Sequence, residues 1–382
     1  MKVLCVAGAR PNFIKVAALM RAFTRLQAFE TRLVHTGQHS DEKLSDVFFR
    51  QLAIPRPDVE LAVPKGTQTE QSAEIMRRFE AVLEAEQPHA VLVVGDVSST
   101  LACALAAAKF RRREPFVWDG RRRARPLIVH VEAGLRSFDD EMPEETNRRL
   151  TDALSDLLFV SDPAGLENLA REGTAVERVH LVGNVMIDTL LQAREAARDT
   201  GILAQLGLRE REYGLVTLHR PGNVDDARTL RELLQALDEV AQRLRLVFPV
   251  HPRTRARLLD AGIELDPERW TVLSAVGYLE FLALQSGARI VLTDSGGVQE
   301  ETTALGVPCV TLRDNTERPC TVWQGTNVIA GTSRSGILRA AFAALDGPLV
   351  RAGRVPALWD GRAAERVAEI LARRLREDAR AA

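Results

Sequence analysis

Polar residues able to do chemistry recur at one kind of place in this sequence of 382 residues, immediately after short apolar runs. Gly8-Ala9-Arg10-Pro11 follows the first run, with Lys15 a turn further on. Later runs end at Gly95-Asp96, at His130 to Arg136 (HVEAGLR), at His219-Arg220, at His251-Pro252 and at Asp294-Ser295-Gly296-Gly297. Asp96, Glu132 and the pair Glu144 and Glu145 (MPEETNR) are carboxylates that can serve as general base, general acid or acceptor for sugar hydroxyls. Each also has a plainer use. Acids in a helix's first turn favour its dipole, which would account for one of Glu144 and Glu145. Asp96 and Glu132 could cap a helix or pair with an arginine such as Arg136. The stretch Asp294 to Glu301 (DSGGVQEE) reads as a strand end followed by two glycines that open a helix. Backbone N–H groups there can hold a phosphate, although a tight turn would read the same way. Arg10, Lys15 and Arg318 (NTERP) supply cations at other loop positions and would suit a diphosphate. His219 closes YGLVTLH, where a histidine could steady a leaving phosphate, relay a proton, or simply serve the structure.

Several chemistries lack their residues. There is no GxxxxGK[ST] for an NTPase loop and no GxGxxG with a downstream ribose-binding acid, so no nicotinamide is expected. His35, His39, His130 and His251 flank strands without HExxH or another tight ligand spacing, so no metal is expected either. Cys5, Cys103, Cys309 and Cys320 form neither a CxxC pattern nor a disulfide framework, which suits reduced thiols in cytoplasm. Lys and Arg number 51 against 52 Asp and Glu, so no global basic field recommends nucleic acid or a membrane surface as partner. The opening MKVLCVAGARPNF breaks at Gly8 and Arg10, short of a secretory signal, and no apolar run approaches the roughly 20 residues a membrane helix needs. A soluble, cytoplasmic protein is expected.

These residues need elements to position them. Apolar runs rich in β-branched residues (KVLCVAGA, TRLVHTG, AVLVVGD, LIVHVEA, LLFVS, VHLVGN, then YGLVTLH, RLVFPVH, RIVLTDS, PCVTL, NVIAG) alternate with helical stretches. Near-continuous apolar strands between helices predict parallel sheets covered on both faces, and ligands beyond the strands' carboxyl ends. Domains cluster at roughly 100–200 residues, so the length predicts two doubly wound α/β lobes with a cleft. We place the first at 1–183 and the second at 184–360. The region around Val185 to Arg198 and Gly201 would form the hinge, and the helix in 361–382 (Val367, Ile370, Leu371 and Leu375) would pack back on the first lobe. Phe110 to Arg125, with seven arginines, interrupts the alternation and reads as a solvated, mobile loop or, less simply, a patch for an anionic partner.

GARPNFIKVAAL, HTGQH, GDVSSTLACALAAAKF, HVEAGLRS…PEETNRR, GNVMIDTL, VTLHRPGNVDD, FPVHPRTR, TDSGGVQEE…RDNTERP and GTN run in order from Val3 to Asn327. On these stretches the chain resembles the non-hydrolysing UDP-N-acetylglucosamine 2-epimerase family. The resemblance implies two Rossmann-like domains in a glycosyltransferase-B-like arrangement, with UDP in the interdomain cleft, no cofactor and a homodimer. It implies inversion at C2 of UDP-GlcNAc to UDP-ManNAc, a precursor for surface polysaccharides, by elimination of UDP to a 2-acetamidoglucal and re-addition. Asp96, Glu132, Glu144 and His219 then resemble the catalytic set. Arg10, Lys15, Ser295, Gly296, Gly297, Glu301 and Arg318 resemble the UDP-binding set, with Phe281 near the uracil.

Departures leave other readings open. Arg220-Pro221-Gly222-Asn223 follows His219 where the family pattern has a second arginine and a glutamate, and the segment after Gln38-His39 lacks an expected arginine. GTQTEQSAEIM lacks an arginine associated with a second, activating UDP-GlcNAc site, so weak or absent activation is implied. The alternatives are a hydrolysing relative releasing ManNAc and UDP, an epimerase of another UDP-2-acetamido sugar such as a diacetamido-uronic acid, a transferase of the same fold, and a nucleotide-sugar sensor.

Overall fold

The structure, a computed structural model, describes residues 1–37, 51–347 and 355–377. It divides into two units, Met1–Leu191 with Ala357–Ala382, and Gln192–Pro356.

In the first unit, seven strands form one sheet in the order β3-β2-β1-β4-β7-β8-β9. They are β1 (Lys2–Ala7), β2 (Glu30–His35), β3 (Val59–Glu60), β4 (Ala90–Val94), β7 (Leu127–Ala133), β8 (Leu157–Val160) and β9 (Val179–Leu181), and every pairing is parallel. All residues of β4 (AVLVV) and β7 (LIVHVEA) are buried, as a sheet covered on both faces requires. In the second unit, β10 (Tyr213–Thr217), β11 (Arg245–Pro249), β12 (Trp270–Leu273), β13 (Ile290–Thr293), β14 (Cys309–Thr311) and β15 (Asn327–Ile329) form a parallel sheet in the order β12-β11-β10-β13-β14-β15. Both orders reverse direction at one pair of neighbours, β1 and β4 in the first unit and β10 and β13 in the second. Connections leave such a pair toward opposite sides, opening a crevice at the carboxyl ends of the strands.

Three expectations change. The boundary expected at 183/184 lies at Leu191/Gln192, because the Val185–Asp199 helix begins as part of the first unit: Ile187 and Leu190 are buried, and Thr189 Oγ1 donates to the Ile14 carbonyl at 2.7 Å. The returning segment starts before 361, with Trp359 Nε1 donating to the Ser161 carbonyl at 2.9 Å. Its helix, Ala363–Glu377, lies on the Arg10–Leu26 helix and is capped by Asp188, which accepts from Ala363 N at 3.1 Å and Ala364 N at 2.7 Å.

The arginine-rich segment forms a β-hairpin where an irregular loop was expected. Phe116–Trp118 (β5) and Arg121–Arg123 (β6) pair antiparallel around Asp119-Gly120, whose φ angles of 53° and 64° suit a two-residue hairpin turn. Arg123 and Arg125 pair with Asp156 at 2.6 and 2.9 Å, and Arg112 lies over the Phe116 ring. Asp-Gly was the signal for this turn; the charge run concealed it. The short edge strands β3 and β12 were also not among the expected runs. No helix among the described residues is long and apolar enough to cross a membrane.

Candidate active site

Each unit carries a cluster of charged groups at its own topological crevice. In the first unit, the Arg10–Leu26 helix starts directly after β1, with Pro11 in its first turn, where no N–H partner is lost. Asn12 fastens this start: its Oδ1 accepts from Gly8 N and Ala9 N at 3.2 and 3.0 Å, and its Nδ2 donates to the Val94 carbonyl of β4 at 2.8 Å. Lys15, one turn on, forms a buried ion pair with Glu132. Gly95, with φ 68°, makes room for that pair, since a Cβ there would lie 3.2 Å from Lys15 Nζ and 3.8 Å from Glu132 Oε2.

Asp96 follows on the same turn. Its Oδ2 accepts from Arg148 Nε and Nη2 at 2.9 and 2.6 Å, and its carbonyl accepts from Asn147 Nδ2 at 2.8 Å. A quarter of the Asp96 side chain remains open to solvent. Arg148 belongs to the Pro143–Leu154 helix and also donates to Glu145 Oε2 at 2.7 Å. Glu145 is buried and accepts from Ser137 N, Ser137 Oγ and Phe138 N as well. Burial alone would raise its pKa, but the Ser137 N–H and Arg148 hold it below the usual carboxylate value. Of the adjacent pair, Glu145 therefore secures the 135–138 loop. Glu144 is half-buried, and its side chain makes no hydrogen bond or ion pair among the described residues.

In the second unit, Asp294 directly follows β13 and is fully buried beside the end of β10. It accepts from His219 N, Arg220 N and Asn223 Nδ2 at 3.0, 2.9 and 3.2 Å, and its Oδ1 lies 2.9 Å from His219 Nδ1. Burial opposes its charge, but the His219 ring and these N–H groups outweigh that and hold its pKa below the usual range. With Nδ1 engaged, Nε2 is the nitrogen His219 can offer a ligand, and the ring is 40% exposed.

The Gly296–Leu305 helix opens next to this pair, and its Ser295 N-cap makes no side-chain capping bond. Arg318 packs against this helix start, with Nε 2.7 Å from Glu300 Oε2 and Nη1 2.8 Å from Glu317 Oε1. A Cβ at Gly296 would lie 2.6 Å from Arg318 Nη1, so the glycine is what admits the guanidinium. Glu317 also pairs with Arg313 at 3.0 Å and with Arg220 at 3.5 Å. The three guanidinium groups stand with Glu300, Glu317 and Asp294 beside a helix N-terminus, whose N–H groups suit an anion. Glu301, in the same helix, is pushed up to about 8 by burial, with the charge of Glu300 adding, so it holds its proton at neutral pH. Phe281 is half-buried and packs against the cluster containing Leu215, Val247 and Val298.

The residues singled out by sequence thus fall into two groups. Asp96, Glu132 and Glu144 gather in the first unit with Lys15, which lies on Glu132 and not among the other cations. His219, Phe281, Ser295, Gly296, Gly297, Glu301 and Arg318 gather in the second. The side chain of Arg10 and all of His39 lie outside the described residues. Arg136, considered as a partner for Asp96 or Glu132, instead engages Asp152 and Glu172; Arg148 and Lys15 take those places. His251 caps the Pro252–Asp260 helix, and His35 packs on Phe13. Asn12, Arg148, Glu300 and Glu317 were not anticipated. Arg148, three positions after Glu145 in PEETNRR, was the clearest overlooked signal. Among the described residues no group of three His, Cys, Asp or Glu is placed to hold a metal ion.

Residues 21–372 match the family described as UDP-N-acetylglucosamine 2-epimerase. A Pseudomonas aeruginosa protein, UDP-2,3-diacetamido-2,3-dideoxy-D-glucuronate 2-epimerase, is 40% identical over 98% of this chain and 100% of its own. UDP-N-acetylglucosamine 2-epimerase of Methanocaldococcus jannaschii is 36% identical over 97% of this chain and 99% of its own. The crystal structure of the Methanocaldococcus jannaschii UDP-GlcNAc 2-epimerase in complex with UDP-GlcNAc and UDP superposes with a TM-score of 0.87, at 36% identity over 97% of this chain and 99% of that one. That of the Neisseria meningitidis enzyme bound to UDP-GlcNAc has a TM-score of 0.86 at 28% identity, covering 98% and 100%.

Proposed function

Because the chain belongs to the UDP-N-acetylglucosamine 2-epimerase family, we propose that it interconverts UDP-GlcNAc and UDP-ManNAc by eliminating UDP and adding it back. The C2 hydrogen is barely acidic, so direct deprotonation is a poor route. Elimination avoids that difficulty: as the C1–O bond breaks with its electrons going to the β-phosphate, a base takes the C2 proton and the C2–H bonding pair forms the C1–C2 double bond. Re-addition protonates C2 on the opposite face and restores the C1–O bond, so atoms and electrons balance without a cofactor.

Asp96 and Glu132 would transfer the C2 proton, with Glu144 ordering the sugar or sharing that task. General acid–base catalysis supplies about 10²–10⁴-fold. The departing diphosphate would be met by His219 Nε2, Arg318, the Ser295 hydroxyl and the N–H groups of Gly296 and Gly297, and Arg10 and Lys15 would bind UDP as well. Glu301 would bind the UDP moiety, with Phe281 near the uracil. The observation that carries this reading is the Asp294–His219 pair beside the Arg318-flanked helix start, a ready anion site within the second unit. The same reading takes the protein as a homodimer, which light scattering tests, and its product as a precursor for surface polysaccharide.

Incubation with UDP-GlcNAc in heavy water, followed by NMR of the products, tests the reaction. Deuterium at C2 in a mixture of the two UDP sugars is expected. Free ManNAc with UDP would identify hydrolysis instead. The identity to the Pseudomonas aeruginosa relative favours a second reading, a UDP-2,3-diacetamido-uronate substrate, and running both substrates side by side decides between them.

A further inference from the structure

Glu132 has a φ of 72°, in the left-handed region that residues with a Cβ avoid, and it sits where the register of β7 against β8 shifts between Val131 and Ala133. A strained conformation of this kind persists only when its surroundings over-determine it. The surroundings here are a buried polar network. His130 Nε2 donates to the Gly95 carbonyl at 2.8 Å, and Gly95 N donates to the Val131 carbonyl at 3.0 Å. His130 Nδ1 lies 2.7 Å from Asp152 Oδ1. Past the bulge, Gly134 N donates to Asp152 Oδ2 at 3.1 Å, and Arg136 Nη1 lies 2.8 Å from the same oxygen. Burial would raise the pKa of Asp152, but His130 and Arg136 together hold it below the usual carboxylate range.

We propose that His130 and Asp152 are positioning residues that lock the bulge and so fix the carboxylate of Glu132 against Lys15. His130 is 1% exposed, and Asp152 and Arg136 are each 2% exposed, so the network acts through other groups. Its attachments reach the three acids proposed for the chemistry, Asp96, Glu132 and Glu144. The imidazole holds the turn that leads into Asp96, lies two residues from Glu132, and is tied through Asp152 to the helix that carries Glu144. What those acids do rests on the reading above; that the network sets their geometry does not.

The test combines His130→Gln, which can reproduce one of the two ring contacts, with Asp152→Asn, which keeps the shape and removes the charge. Crystal structures of the variants report the φ of Glu132 and its distance to Lys15. C2 deuterium exchange, measured well below each variant's melting temperature, reports turnover, and calorimetry reports UDP affinity. Glu132 is expected to leave the left-handed region or the Lys15 contact. Turnover should fall about 100-fold, as displacement of a reacting group by an ångström can produce, with UDP affinity within threefold of wild type. A folded variant that melts earlier yet keeps Glu132 in place and turns over within threefold of wild type would show a purely structural role and overturn the proposal. If His130→Gln does not fold, Asp152→Asn carries the same readouts. If the wild type itself exchanges no deuterium, the reaction assignment fails while the crystal structures still decide the positioning.

Discussion

Asp294 spends its carboxylate on the Nδ1 of His219 and on two backbone N–H groups, which fixes both the tautomer and the turn that carries the ring. Asp294→Asn keeps the volume but loses the charge and one accepting oxygen. We expect turnover to fall by about 10²-fold or more, the range of a lost proton-relay group. UDP affinity should change by less than about tenfold, as read by calorimetry; turnover within threefold of wild type would remove His219 from the chemistry. Glu301 gives a pH effect of defined sign. Its folded pKa of about 8 lies above the ordinary value of 4.5, so between these pH values the folded state holds a proton that the unfolded chain has lost. Stability is therefore greatest below about 4.5 for this group and declines as pH rises through 8, by an order of a few kcal/mol. Glu301→Gln should flatten that decline. Urea denaturation at pH 5.5 and 8.5 checks it, and parallel losses in both proteins would refute the assignment.

Among the elements, the β5–β6 hairpin is held at the amino-terminal side of the first sheet, away from the strand ends that carry the acids. Asp156 is its anchor: besides Arg123 and Arg125 it accepts from Ile128 N at 2.9 Å, and its own N–H donates to the Ile128 carbonyl at 2.7 Å. Asp156→Asn should loosen residues 116–123, seen as faster amide hydrogen exchange there, with turnover within threefold of wild type. A large loss of turnover without faster exchange would mean that the hairpin matters to the chemistry in a way its anchoring does not explain. The alternation of strands and helices was legible because each parallel strand must be apolar on both faces, as KVLCVA and AVLVV are. The hairpin was not, because arginine is poorly suited to signalling a strand until cation–π contacts and Asp156 are seen to occupy it.

At the level of the whole molecule, elimination and re-addition need no redox partner and no Lewis acid, so activity should survive EDTA treatment and exhaustive dialysis with nothing restored. Recovery only after adding a metal or a nicotinamide would require another mechanism. The sequence alone determined that two parallel α/β sheets would form and that chemistry would lie at their carboxyl strand ends, since apolar runs and the polar residues closing them are local features of the chain. Tertiary structure decided which charge meets which. Asp96 and Arg148 stand 52 positions apart, and no spacing rule links them. Crossovers between strands brought Lys15 onto Glu132, Asp294 onto His219 and Arg220 onto Glu317. The unit boundary moved for the same reason: the first turns of the Val185–Asp199 helix follow long-range partners at Ile14 and Ala363, which no local pattern records.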